Sequence, residues 1–192
     1  MRKLNTLTKF VTLLISTLVI CAVLVTSVNA QPQLTENSQL AINGIGPIRV
    51  GMKVDEASQS AGIKLISNGN SGGNDEYQCS YVQPQGQLKG ISFMVAKGRI
   101  ARVDISNQRI TTIRGAKIGN TQEQIIKLYP GQIKVTPHPY IGRPPYNGKY
   151  LTFVPKDAAD KNYRIIFETS KNLVTRLRSG KLPEVGYIEG CA

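Results

Sequence analysis

The sequence holds no tryptophan, one histidine and three cysteines, and its 12 acidic residues face 24 Lys plus Arg. Each shortage excludes something. Three cysteines cannot build a knottin-like disulfide scaffold, and 192 residues are too few for a large multidomain enzyme. With eight Tyr and no Trp a lectin-like stacking site is weakly supported, because some of those rings must be core. The lone His138 lies between Pro137 and Pro139 with no second His or Cys at ligand spacing, so the expectation is a surface-loop histidine, no metal site and no cofactor. No catalytic constellation stands out. What is present suits a packed domain: 41% hydrophobic and 19% charged residues argue against wholesale disorder despite 18 Gly and 10 Pro.

Arg2, Lys3 and Lys9 precede an uncharged stretch from Phe10 to Val28, and Val28-Asn29-Ala30 supplies small or short residues at a cleavage site before Gln31. Residues 1–30 therefore read as a secretory signal peptide, whose removal leaves no transmembrane segment in the mature chain. An uncleaved anchor is the alternative, although Thr12, Ser16, Thr17, Thr26 and Ser27 dilute the run. Lipidation at Cys21 is rejected, since Ile20 occupies the place of the small residue a lipoprotein signal needs. The mature chain remains basic, and the excess is local. Residues 31–106 carry seven basic and six acidic groups, against fourteen and six for 107–192. Such asymmetry steers an acidic partner, an acidic protein or an anionic envelope polymer, with no nucleic acid expected; a merely solubilising charge is the plain alternative.

Self-similarity is visible along the mature chain. Residues 48–56 (Ile-Arg-Val-Gly-Met-Lys-Val-Asp-Glu) align with 116–124, residues 79–82 with 151–154, and residues 93–103 with 167–177. In the last pair Lys97, Gly98 and Arg102 recur as Lys171, Asn172 and Arg176, and Gly and Asn are the residues that best tolerate a left-handed hairpin turn. Thr121 to Gln124 has capping-box spacing ahead of an Ile125, Leu128, Tyr129 stripe that Pro130-Gly131 ends, and Val54, Ala57 and Ala61 make a weaker stripe ending at Gly62. Alternation marks strands through Ile91, Phe93 and Val95, through Ala101, Val103 and Ile105, and through Ile165 and Phe167. The expected fold class is therefore α+β, a tandem duplication of a helix-plus-antiparallel-sheet unit forming one pseudo-symmetric domain. Residues 44–106 would be the first repeat and 107–192 the second, with 31–43 a polar tail or linker.

Gly69-Asn70-Ser71-Gly72-Gly73 matches the G-x-S-x-G pattern of hydrolases, but a strand must precede and a helix follow a nucleophile elbow, and here a strand follows. Asp55, Glu56 and Glu123 belong to first helical turns, where the dipole explains them without chemistry. Cys79 and Cys191 are the cysteines of the mature chain, and in an oxidising compartment a disulfide between them is the economical reading; separate thiols or an intermolecular bond are the alternatives. Tyr140, Arg143 and Tyr146 lie in a Pro/Gly loop and are residue types favoured at recognition hot spots. In residues 173–178 alternation sends Leu173, Thr175 and Leu177 to one face and Arg176 and Arg178 to the other. With Arg102 these would form an outward basic cluster on the side opposite the helices.

The phrase at 48–56 resembles the Gly-Met-Thr-x-x-Glu signature of the small outer-membrane assembly lipoproteins, with Lys53 in place of Thr and no lipobox; Gly119-Asn120-Thr121 carries its second copy. The tandem layout resembles the β-lactamase inhibitory protein fold, and the closing residues 185–191 look like the tail of uncharacterised secreted bacterial proteins of this layout. The resemblance implies non-catalytic binding or envelope work. The expectation is an exported, periplasmic or extracellular, non-enzymatic protein that binds an acidic macromolecule, as an inhibitor or a cell-envelope accessory factor. A secreted hydrolase using Ser71 or His138, or a purely structural envelope protein, is the alternative.

Overall fold

The structure, a computed structural model, describes residues 32–67 and 79–191. The expected signal peptide and the G-x-S-x-G stretch lie outside the described residues. Among the described residues eleven strands, all paired antiparallel, form two sheets. Three two-residue strands, β1 (Leu40–Ala41), β2 (Gly44–Ile45) and β3 (Ile48–Arg49), make a small sheet. The large sheet contains β4 (Leu65–Ser67), β5 (Cys79–Pro84), β6 (Ile91–Ala96), β7 (Arg99–Ile105), β8 (Ile133–Pro137), β9 (Lys149–Phe153), β10 (Tyr163–Ser170) and β11 (Leu173–Lys181). Its spatial order is β4-β5-β6-β7-β11-β10-β9-β8.

The two α-helices among the described residues are short. α1 (Val54–Ala61) has eight residues, with Ala57 and Ala61 buried, and Gly62 stops it at φ 62°, a left-handed turn suited to glycine. α2 (Gln122–Leu128) has seven, and its capping box is formed by the Thr121 hydroxyl accepting from the Gln124 N–H and the Gln124 side chain accepting from the Thr121 N–H.

The α+β tandem expectation is overturned. The protein is mostly β, and eight strands run as one hydrogen-bonded sheet through the proposed boundary at Ser106, where β7 pairs with β11 from Ile105↔Leu177 to Arg102↔Gly180. Gly51 and Gly119 do precede the helices, and Lys97-Gly98 and Lys171-Asn172 do turn with positive φ at hairpin tips. These local matches do not add up to two helix-plus-sheet units, because two helices this short cannot supply a layer. The core is built mainly from strand residues, with Phe93, Val103, Ile105, Leu151, Phe167 and Leu177 at most 2% exposed. Burial of the two Phe side chains contributes on the order of 2 to 3 kcal/mol each. Tyr129 packs on Phe153 and Phe167 at centroid distances of 4.9 and 5.6 Å, and its hydroxyl is 2.8 Å from that of Thr112.

Two further expectations change. The stretch before residue 44 is not a free tail, since Leu34 and Leu40 are buried and the Leu40 N–H donates to the Thr111 carbonyl at 2.8 Å. In β11 a bulge shifts the register between Glu168↔Arg176 and Thr169↔Val174. Val174 and Leu177 therefore face the core, and Leu173 and Thr175 are exposed.

Candidate functional site

The other face of the large sheet carries a polar ladder. Register places Ser92, Asp104, Arg178 and Ile166 side by side on β6, β7, β11 and β10, with Met94, Arg102 and Gly180 in the row on one side and Arg176 and Glu168 on the other. Residues 182–191 fold back over this face as a strap. Val185 is fully buried against Tyr150 and Ile166, and the strap is bonded to β5 by the Cys79–Cys191 disulfide, with alpha carbons 5.4 Å apart. Gly180 lets β7 and β11 approach closely beneath it, as a Cβ there would lie 2.4 Å from the Ala101 carbonyl oxygen.

The arginine expectation is corrected here. Arg102 and Arg178 do not face solvent; they are 4% and 7% exposed. Arg102 pairs with Asp104 at 2.8 Å and donates to the Glu184 and Tyr187 carbonyls of the strap at 3.1 and 2.8 Å, and to the Tyr81 hydroxyl. Arg178 donates to the Val185 carbonyl at 2.9 Å and lies 5.0 Å over the Tyr150 ring. Strap carbonyls left without strand partners need buried donors, and these guanidiniums supply them. Arg176 remains exposed on the same face.

His138 is corrected as well. It is 6% exposed, with Nε2 3.2 Å from both the Glu168 carboxylate and the Tyr150 hydroxyl, while Nδ1 accepts the Tyr140 N–H at 3.1 Å. The structure thereby joins the Tyr loop to the ladder: Arg178 stacks on Tyr150, Tyr150 on His138 at 4.6 Å, and the Tyr140 hydroxyl donates to Glu189 of the strap. Tyr140 and Tyr146 are exposed, and Arg143 is exposed while its carbonyl accepts the Tyr146 and Asn147 N–H groups at 3.1 and 3.0 Å. Tyr81, Tyr150, Glu168 and Val185 were not singled out by sequence pattern. Alternation alone, which puts Tyr81 and Glu168 opposite their apolar neighbours, was the available signal.

Two hollows flank the strap. A cleft of about 270 Å³ is lined by Ser92, Asp104, Glu168, Arg176, Arg178 and Ile188, among others. A wider groove of about 920 Å³ runs along the strap past Tyr140, Tyr187, Ile188 and Lys97. Among the described residues no group of three or more His, Cys, Asp or Glu could hold a metal ion, and no helix is long and apolar enough to cross a membrane.

Burial, and next the Asp104 charge, push the Tyr81 hydroxyl up to about 12, with Arg102 and Arg178 opposing. Burial raises Tyr150 and Tyr129, and the hydrogen bond to Glu189 raises Tyr140. The folded chain thus keeps its Tyr81 proton where the unfolded chain has released it, so this stability is complete below about pH 10 and is lost as pH rises toward about 12. Denaturant unfolding at pH 9, 11 and 12 should show that decline, with Tyr81→Phe flattening it. An absorbance titration in which every tyrosine ionises at its ordinary value would refute it.

No protein-family model matches the chain, and no curated protein matches it. The chain is similar to a crystal structure of the uncharacterized protein yfeY from Escherichia coli, with 15% identity, 76% of this chain and 99% of that chain covered, and a TM-score of 0.45.

Proposed function

We propose that the mature chain is an exported, non-catalytic binding protein for an acidic macromolecule, working as an inhibitor or a cell-envelope accessory factor. One observation carries this reading. Among the described residues, Arg102, Arg109 and Arg178 are the only Lys or Arg side chains in ion pairs, so the basic excess of the carboxyl-terminal half is left at the surface. Arg176 and Ile188 line one hollow at the strap and Tyr140, Tyr187 and Ile188 the other, which puts charge beside apolar area there, a combination suited to protein recognition, and Arg143 and Tyr146 are exposed on the same loop as Tyr140. The disulfide and the absence of a membrane-crossing helix among the described residues are consistent with an exported protein. The Gly51-Met52 phrase that resembles the assembly lipoproteins supports envelope work. Against the hydrolase alternative, both ring nitrogens of His138 are engaged in contacts within the scaffold.

The test separates a site from bulk charge. Arg143→Ala with Arg176→Ala should slow association with poly-L-glutamate about tenfold at low salt and flatten its salt dependence. Lys156→Ala with Lys161→Ala removes equal charge beyond the far end of β9 and should change it less than about twofold. Equal effects from the two pairs would reduce the reading to net charge, and turnover in a screen of ester, peptide and glycoside substrates would replace it with an enzyme.

A further inference from the structure

The polar cleft holds one cation more than its own carboxylates satisfy. Asp104 is taken by Arg102 at 2.8 Å. Glu168 stands directly across from Arg176 in register and would be its natural cross-strand partner. Its two oxygens turn elsewhere, one to His138 at 3.2 Å and the other toward Arg178 at 3.8 Å. Arg176 therefore lines the cleft with its guanidinium outside every ion pair among the described residues. The hydroxyl-bearing Ser92 and Ser106 line the same cleft, and Ile166 and Ile188 give it apolar walls.

We propose that this cleft binds a single carboxylate next to a small apolar group, with Arg176 as the anion anchor and Ile166 and Ile188 as the apolar contact. The proposal rests on the acidic-partner reading and names the chemistry that partner presents, an acidic or carboxyl-terminal residue of a polypeptide flanked by an aliphatic side chain. Magnitudes select this class. A volume of about 270 Å³ lies below the roughly 300 to 1,000 Å³ of pockets for drug-sized ligands, so it admits one or two side chains and not a larger cofactor. Three arginines against two carboxylates leave one net positive charge, which matches a monoanion and opposes a dianion whose second charge would meet Asp104 and Glu168. Planar guanidinium recognises carboxylate in a fork, which adds geometric selectivity to the charge attraction.

Three small probes test the site without the macromolecule: N-acetyl-leucine, its uncharged amide, and acetate. NMR titration should shift the Arg176 Nε–Hε resonance with N-acetyl-leucine, with affinity about tenfold or more above that for either other probe. Arg176→Gln, at an exposed position, should fold normally and abolish the response, whereas Lys171→Gln at the neighbouring hairpin tip should leave it intact. A response equal for acid and amide, or one that survives Arg176→Gln, overturns the proposal. Failure here with polyglutamate binding preserved refutes the cleft alone. A small-acid response without macromolecular binding keeps the cleft and refutes the broader reading.

Discussion

Opening the Cys79–Cys191 bridge should lower stability by about 4 to 5 kcal/mol, because it closes a loop with a sequence separation of 112 and loop-closure entropy of that size is removed from the unfolded chain. The folded state responds too. Without the bond, residues 182–191 are held by Val185 in its apolar seat, by the carbonyl bonds to Arg102 and Arg178, and by the Tyr140 to Glu189 contact. Those contacts remain worth making, so the strap should fray rather than dissociate completely, and fraying exposes the bond after Lys181. Urea unfolding of oxidised protein and of Cys79→Ser/Cys191→Ser gives the first quantity, and trypsin cleavage after Lys181 gives the second. A variant as stable as the native chain, with that bond still protected, would show that the strap holds itself and the bridge is incidental.

Strands were largely legible in the sequence, because a sheet with one buried face writes a period of two. Ile91, Phe93 and Val95, and Ile165 and Phe167, are all buried as the alternation requires. The α2 start was legible for a local reason, since a capping box needs only residues three apart. Fold class failed because local pattern does not say how units join. Similar stretches of helix and strand are compatible with two layered units or with one continuous sheet, and it is the β7–β11 pairing, made by residues far apart in the chain, that decides. The bulge at Thr175 shows the same limit on a smaller scale: one extra residue moves Val174 inward and Leu173 outward against simple alternation.

The cysteine pairing was legible by elimination, the strap was not. Arg102 reads as exposed on its own strand, and what buries it are the carbonyls of Glu184 and Tyr187, 82 and 85 residues away. His138 is buried by Tyr150 and Glu168 on β9 and β10, with no periodicity to announce it. A charge-alternating strand tells which side chains share a face. It does not tell whether the chain returns to cover that face.

That difference separates three arginines that strand alternation alone makes equivalent. Arg102→Ala should lower stability by about 2 to 4 kcal/mol, somewhat under the scale for breaking a fully buried ion pair because Asp104 keeps some solvent, since Asp104 loses its partner and the Tyr81 hydroxyl and the Glu184 and Tyr187 carbonyls lose the Arg102 donor together. Arg176→Ala, at an exposed position in no ion pair, should stay within about 0.5 kcal/mol. The origin of the loss can be separated from simple charge removal. Arg102→Met with Asp104→Leu removes both charges and should recover part of the deficit, since the uncompensated carboxylate is gone, but the Tyr187 carbonyl stays without its donor, the Glu184 carbonyl keeps only the Tyr187 N–H, and cleavage after Lys181 should remain faster than in the native chain even with the disulfide intact. Thermal or urea unfolding of the three variants, alongside that cleavage, decides the matter. An Arg102→Ala chain as stable as Arg176→Ala would mean that the strap does not depend on Arg102, and would return Arg102 to the set of side chains available to a partner.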